Sequence, residues 1–324
     1  MQTFSIAIHG GAGTLVKGMM TPELEARYKQ DLKIALNAGY AILKAGESAV
    51  DAVEVAVKHL EDSPLFNAGK GSVFTATGSH EMDASIMDGN TLNAGGVSLI
   101  SGIKNPVSLA RDVMEKSEHV FLAGEGAMKF ATELNYTLEE DTYFYDKFRH
   151  QQWLEIKDTD NFQLDHSKST NENEDSVAEH SRSQKDSKFG TVGAVACDQD
   201  GNIAAATSTG GMTNKKWGRV GDSPMIGAGN YANNKTCAVS CTGSGEFFIR
   251  GVVAYDVSCL MEHKGLTLQQ ASEEVINKRI LEINGDGGLI AVDTQGNIAM
   301  PFNTEGMYRA FKTSEGKEEI SIYK

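Results

Sequence analysis

The chain has 324 residues, 40% of them hydrophobic and 23% charged, with a formal net charge of -14. That length holds one large domain or two ordinary ones with ample core. So acidic a surface excludes nucleic acid and anionic membrane as expected partners, and no apolar run reaches the ~20 residues that span a bilayer.

Residues 4–9, FSIAIH, read as a buried strand ended by the glycines of GGAG. The opening MQTFSIAIHGGAG carries no basic n-region and no long apolar segment before a cleavage site, so no signal peptide is expected and the expected compartment is cytoplasmic. A helix follows: Thr21 is its N-cap, Pro22 sits in the first turn, Glu23 and Glu25 favour the positive end of the dipole, and Gly46 closes it. Ser48 caps a second helix that ends near residues 62–64. Residues 65–100 are short apolar runs split by glycine, asparagine and aspartate, which predicts antiparallel strands and hairpins. Asn105 and Pro106 open another helix, Gly124 opens one more, and residues 142–157 are read as helical. From residue 158 to 188 large apolar residues almost vanish, and nothing there offsets the entropy of ordering. A loop that long in a compact protein is either functional or disordered.

After Thr191 strands come first. TVGAVACDQDGNIAAATS is a hairpin that turns at Asp200–Gly201, KTCAVSCTGSG a further strand leading into a helix over 246–263, and Thr267 caps the next helix. GLIAVDTQGNIAMPF is a second hairpin. The pattern D-x-x-G-N-I-A stands at 198–204 and again at 293–299, which reads as one turn chemistry used twice. Strands and helices in segregated blocks favour an α+β layered fold, antiparallel sheets between helices, over a doubly wound parallel sheet. The four cysteines form no CxxC pair; Cys237 and Cys241 on one strand would lie about 13 Å apart, too far to share a metal, so buried thiols are expected.

Several stretches carry chemistry. HGGAG at 9–13 resembles a loop of oxyanion donors, but no serine stands in G-x-S-x-G and no G-x-x-x-x-G-K-[ST] exists. What remains is a tight backbone approach near a site, or only a turn. In TSTGGMTNKKWGRVGDSP (207–224), Arg219 would hold a carboxylate and Asp222 an ammonium, together the head of a free amino acid; the plainer reading is a surface ion pair. SCTGSGEFF (240–248) ends a strand in glycines before a helix, either a nest for an anion or a glycine-rich cap. Thr191 has no basic neighbour in sequence. If the chain is cut before it, its own α-amine, with a pKa of about 7.7–8.0, becomes the base beside the hydroxyl. Gly190 would permit the strained backbone of an N-to-O acyl shift. Otherwise Gly-Thr merely opens a strand.

Taken together, IHGGAG, LFNAGKGSVF, EMDASIMDG, GTVGAVA, TSTGGMTNK, GRVGDSP and SCTGSGE resemble, in order, the plant-type L-asparaginases and isoaspartyl peptidases, which are N-terminal-nucleophile hydrolases. The resemblance covers roughly residues 4–311 and is weak between 135 and 188. It implies a four-layer αββα sandwich, a precursor that cuts itself between Gly190 and Thr191, an α subunit of residues 1–190 and a β subunit of 191–324. It implies Thr191 as nucleophile, Thr209 as the residue that orients it, and Thr242 and Gly243 as oxyanion hole. Arg219 and Asp222 become the clamp for the substrate's α-carboxylate and α-amine. Val220, Gly221, Ser244 and Gly245 join them around the substrate, with Asn67, Gly10 and Gly11 in support. A structural sodium ion is implied on the carbonyls of Leu60, Glu61, Ser63, Phe66, Ala68 and Lys70, where the charged Lys70 is a departure. L-asparagine and β-aspartyl peptides are the implied substrates, and a dimer of αβ units the implied assembly. The rival expectations are a glycosylasparaginase-type amidase and a non-catalytic aspartate-binding protein.

Overall fold

The computed structural model describes residues 3–159 and 190–324; nearly all of the expected polar tether therefore lies outside the described residues. In chain order, β1 (Ser5–Gly13) leads to α1 (Pro22–Lys44), α2 (Ala49–Glu61), and the pair β2 (Met82–Asp88) and β3 (Ala94–Ile100). Next come α3 (Pro106–Lys116), β4 (Phe121–Ala123), α4 (Gly124–Glu133), α5 (Asp141–Phe144) and α6 (Lys147–Ile156). Beyond Thr191 follow β5 (Val192–Cys197), β6 (Ile203–Thr209), β7 (Asn230–Ala232), β8 (Cys237–Gly243), α7 (Gly245–Gly251), α8 (Val253–Lys264) and α9 (Leu268–Glu274). A π-helical turn at Val275–Arg279 joins α10 (Ile280–Glu282), and the chain ends in β9 (Gly287–Asp293), β10 (Ile298–Ala299), β11 (Gly306–Thr313) and β12 (Glu318–Tyr323).

Two sheets result, one of order β12-β11-β1-β5-β6-β2-β3-β4 and one of order β10-β9-β8-β7. All named pairings are antiparallel except β3 with β4. Helices α1, α2 and α3 cover the outer face of the large sheet, α8 and α9 cover the small one, and β1, β5 and β6 face β8 and β9 across the middle. This is the four-layer αββα arrangement. The large sheet interleaves the two halves of the chain: β1 lies between β11 and β5, and β6 lies beside β2.

Side-chain parity assigns each strand residue to a layer. On β5, Val192, Ala194 and Ala196 join the core under the helices, while Val195 and Cys197 join the core between the sheets. On β6, Ala204 and Ala206 face the helices and Ile203 and Ala205 face the small sheet. Continued to the strand ends, the same alternation sends Thr191, Thr207 and Thr209 into the space between the sheets. On β8, Cys237, Val239 and Cys241 pack under α8 and α9, so Ser240 and Thr242 point to that same space from the other side. Helix α2 braces β5 and β6 with Val53, Val57 and Leu60, all fully buried; truncating such a leucine costs about 2–5 kcal/mol.

The caps at Thr21 and Ser48 form, accepting from the N–H of Leu24 and Asp51. Five expectations need correction. The first strand does not stop at residue 9: a bulge between His9 and Gly11, with Gly11 at φ +114°, carries it to Gly13. Residues 65–81 form no strand, because a short 3₁₀ turn at Gly69–Gly71 and loop fill the space before the β2–β3 pair. The helical region 142–157 is interrupted between α5 and α6, at residues 145–146. The helix over 246–263 is broken by Val252 in the left-handed region at φ +47°, which ends α7 and starts α8. The terminal pair β11–β12 and the three-residue strands β4 and β7 were not expected. The cysteine expectation holds: all four thiols are free, three are buried, and burial pushes those of Cys197 and Cys237 up to about 12.

Candidate active site

Thr191 is the last residue before β5, and the pairing of Val192 with Ser208 places Thr209 one step further along, opposite it. A narrow pocket at this end of the hairpin is lined by Gly190, Thr191, Thr209, Gly211, Met212, Arg219, Gly221, Asp222, Ser223 and Gly243. Roomier clefts beside Ser48, Asp88 and Arg111 and beside Lys235 and Gln269 include neither Thr191 nor Arg219 and Asp222.

The Thr191 hydroxyl is buried and lies 3.0 Å from the hydroxyl of Ser223. Thr209, on the same pocket wall, accepts from the N–H of Gly211 at 3.0 Å. The Thr191 carbonyl accepts from Nδ1 of His9 at 3.0 Å. A carbonyl only accepts, so the His9 proton resides on Nδ1, and Nε2 accepts from the Ser240 hydroxyl at 2.9 Å. Burial lowers the His9 pKa to about 3, partly offset by the bond to Thr191, so the ring stays neutral. Ser240 meets Thr207 at 2.8 Å, and Asn230 donates to both Thr207 and the Ser85 carbonyl. These polar groups are the ones that parity sends between the sheets.

Arg219 and Asp222, the expected clamp, line the same pocket. Arg219 donates from Nε and Nη2 to the Glu246 carboxylate, 2.8 Å each, which fixes the plane of the fork. Asp222 is almost fully buried, and its Oδ2 has no hydrogen-bond partner among the described residues. Burial pushes its carboxyl up to about 7 against the opposing pull of Arg219. A Cβ on Gly245 would come within 2.9 Å of Asp222 Oδ1 and 3.0 Å of Arg219 Nη2, and one on Gly221 within 2.8 Å of Arg219 Nη1. Glycine at 221 and 245 therefore leaves room beside Arg219 and Asp222. Deeper in, Asp83 pairs across strands with Thr209, and Lys215 Nζ approaches Gly211. Burial raises the carboxyl of Asp83 and lowers the ammonium of Lys215, each opposed by the other's charge.

Across the pocket, the Thr242 hydroxyl is buried without a partner among the described residues. Gly243 sits at φ +150°, where a Cβ would strike the Asp286 carbonyl at 2.4 Å. The Ser244 hydroxyl is committed to the Asp286 carboxylate, and Val220 is half-buried and adds no wall. Asn67 accepts from Val73 N–H and donates to the Gly211 carbonyl at 2.7 Å, holding the Thr209–Gly211 loop beside the pocket. Gly11 lies directly against the Gly190–Thr191 junction, since a Cβ there would meet the Gly190 nitrogen at 2.5 Å; one on Gly10 would meet the Phe66 ring at 2.4 Å. The HGGAG stretch is thus a close backbone approach near the site.

Sequence reasoning missed His9, Ser223 and Glu246. Each sits inside a quoted motif, beside a residue that was singled out, but its partner lies far along the chain: 182 residues separate His9 from Thr191, 32 separate Ser223 from it, and 27 separate Glu246 from Arg219.

Residues 1–322 match the family model described as asparaginase. The chain is 49% identical over 319 residues to the isoaspartyl peptidase of Escherichia coli (strain K12), covering 98% of this chain and 96% of that one. It is 44% identical to the plant-type L-asparaginase of Pyrococcus abyssi, over 97% of this chain and 98% of that one. It is 41% identical to the isoaspartyl peptidase/L-asparaginase of Xenopus laevis, over 98% and 94%. A match that runs the length of the chain, rather than any one motif, decides its place: this chain belongs to the asparaginase family.

Proposed function

We propose that this chain is a self-cleaving threonine hydrolase that releases L-aspartate from L-asparagine and from β-aspartyl dipeptides. The observation that carries the reading is that Thr191 shares one pocket with Arg219 and Asp222, a hydroxyl beside a clamp for a zwitterion.

In the intact chain the Thr191 nitrogen belongs to a peptide bond and takes no proton. Attack of its hydroxyl on the Gly190 carbonyl forms an ester as the C–N bond breaks, and the hydroxyl proton ends on the departing nitrogen; water then frees the Gly190 carboxylate, leaving 1–190 as α subunit and 191–324 as β subunit. The free α-amine now serves as base. The substrate's α-carboxylate takes the Nη1 side of Arg219, which Glu246 leaves open, and its ammonium becomes the missing partner of Asp222 Oδ2. The Thr191 oxygen attacks the side-chain carbonyl carbon while its proton passes to the α-amine. The Thr242 hydroxyl and the Gly243 N–H take the oxyanion, a role that suits a buried hydroxyl with no partner among the described residues; one such donor is worth about 10²–10³ in rate. The C–N bond breaks as the amine leaves with that proton, and water hydrolyses the resulting ester.

We propose that the loop after α2 also holds the expected sodium ion. A Cβ on Gly69 would lie 2.5 Å from the Glu61 carbonyl and one on Gly71 2.0 Å from the Phe66 carbonyl, so these oxygens turn into the loop where glycine leaves room. Neutral carbonyl oxygens suit a hard cation. Leu60, Glu61, Ser63, Phe66, Ala68 and Lys70 would hold it, and its part would be to brace the loop that carries Asn67. The Lys70 ammonium sits over the Tyr143 ring at 5.2 Å. Among the described residues no helix is long and apolar enough to cross a membrane. We place the protein in the cytoplasm as a dimer of αβ units.

Intact mass of aged protein, with ammonia release from L-asparagine and aspartate release from a β-aspartyl dipeptide, tests the reading. Two fragments, starting at Met1 and Thr191, with turnover are expected. An uncut chain that binds aspartate without turnover would make it a binding protein instead.

A further inference from the structure

We infer that Ser223 is a further catalytic residue: its hydroxyl positions the Thr191 hydroxyl and donates to it as it becomes an alkoxide, tying nucleophile to clamp through the one peptide bond between Asp222 and Ser223. The inference rests on the hydrolase reading above.

Ser223 is 1% exposed, and its only hydroxyl hydrogen bond among the described residues is to Thr191 Oγ1, at 3.0 Å. Its backbone is pinned on the other side, where the Ser223 carbonyl accepts from the Ser85 hydroxyl at 2.6 Å. Asn230 donates to the Ser85 carbonyl and to Thr207, Thr207 meets Ser240, and Ser240 meets His9, which holds the Thr191 carbonyl. One buried polar set thus grips Thr191 at both its carbonyl and its hydroxyl. Asp222, which faces the substrate's ammonium, sits in the same turn as Ser223, closed by Met225 N–H to the Asp222 carbonyl at 2.9 Å.

The chemistry gives the contact a direction. While the Thr191 hydroxyl is intact, either oxygen is able to donate. As its proton passes to the α-amine, Thr191 Oγ1 gains negative charge, and within this pair only the Ser223 O–H is left to donate. The hydrogen bond therefore strengthens on the way to the transition state, which is the condition for raising kcat rather than lowering KM. Ser223 keeps its own proton throughout. A hydroxyl pair with a merely structural role would register in thermal stability and leave kcat unchanged.

The experiment compares the parent protein with Ser223→Ala and Ser85→Ala, reading cut fraction by intact mass, kcat and KM on L-asparagine per cut chain, and thermal melting. For Ser223→Ala, kcat falls about 10–100-fold with KM within about threefold. A folded Ser223→Ala chain that stays uncut supports the inference equally, because the same hydroxyl attacks Gly190. Ser85→Ala keeps both hydroxyls but frees the Ser223 backbone, so kcat falls about two- to fivefold. A Ser223→Ala kcat within twofold of the parent, or a loss confined to KM, overturns the inference. If Ser223→Ala does not fold, Ser85→Ala decides, and an unchanged kcat there overturns it. A parent that turns over neither L-asparagine nor a β-aspartyl dipeptide overturns the hydrolase reading itself.

Discussion

At the turn that joins β5 to β6, the buried Asp198 carboxylate accepts from the backbone N–H groups of Ala49, Asp200 and Asn202. The turn after β9 repeats the device, with Asp293 accepting from Gln295 and Asn297. The opposite end of the same β5–β6 hairpin behaves differently. Asp222 Oδ2 and Thr242 Oγ1 are buried there with no partner among the described residues, and Gly11 is pressed onto Gly190. A buried polar group without a partner costs about 1–3 kcal/mol. The hairpin has satisfied buried groups around one end and open ones around the other, and we read the open ones as places for a ligand. In this chain we assign those places to an ammonium and an oxyanion.

The largest expected effect is at Thr191. Thr191→Ala keeps the fold, stays a single chain of 34.9 kDa on a denaturing gel, and loses turnover to background. A mutant that still splits would sink the mechanism.

Asp222→Asn comes next, with an expected loss of about 10²–10³ in kcat/KM from removal of a buried charge partner. In the parent, the raised carboxyl pKa of about 7 makes kcat/KM fall as pH drops below that value, because the protonated acid no longer attracts an ammonium. The linkage has a stability side. A carboxyl that is raised in the folded state contributes stability at low pH, and this is lost as pH rises through about 7. Asp222→Asn should therefore raise the melting temperature more at pH 8 than at pH 5, while activity is lost at both. An equal shift at both pH values would mean that the carboxyl is not strained by burial.

Gly11→Ala probes the close approach. Its φ of +114° and a Cβ at 2.5 Å from the Gly190 nitrogen predict a cost of about 1–3 kcal/mol. Self-cleavage, followed by mass against time, should slow by roughly tenfold. At the other end, Asp198→Ala should cost about 2–4 kcal/mol of stability, seen by denaturant unfolding, and leave kcat/KM within twofold. A large loss of activity there would dissolve the distinction between the two ends.

Much of this was legible in the residues. Thr21 and Ser48 cap helices because a short side-chain oxygen reaches a free N–H three residues on, an interaction that needs no tertiary context. The two D-x-x-G-N-I-A turns are equally local. The break at Val252 and the run of β1 through its glycines were not legible, since both depend on what packs around them. Ser223 stood next to Asp222 in a quoted motif, yet nothing in the string says that its hydroxyl meets Thr191.

The sequence by itself determined the layered class, the order of the glycine-rich motifs and the closeness of Arg219 to Asp222, because capping, turn chemistry and strand periodicity act over a few residues. Tertiary structure alone decided that Thr191 lies between His9 of β1 and Ser223, that Glu246 braces Arg219, and that Gly11 abuts Gly190. Those contacts arise from sheets that interleave the two halves of the chain and stack face to face. A hydrogen bond across that stack is fixed by register and layer parity, and neither is written in the neighbourhood of either residue.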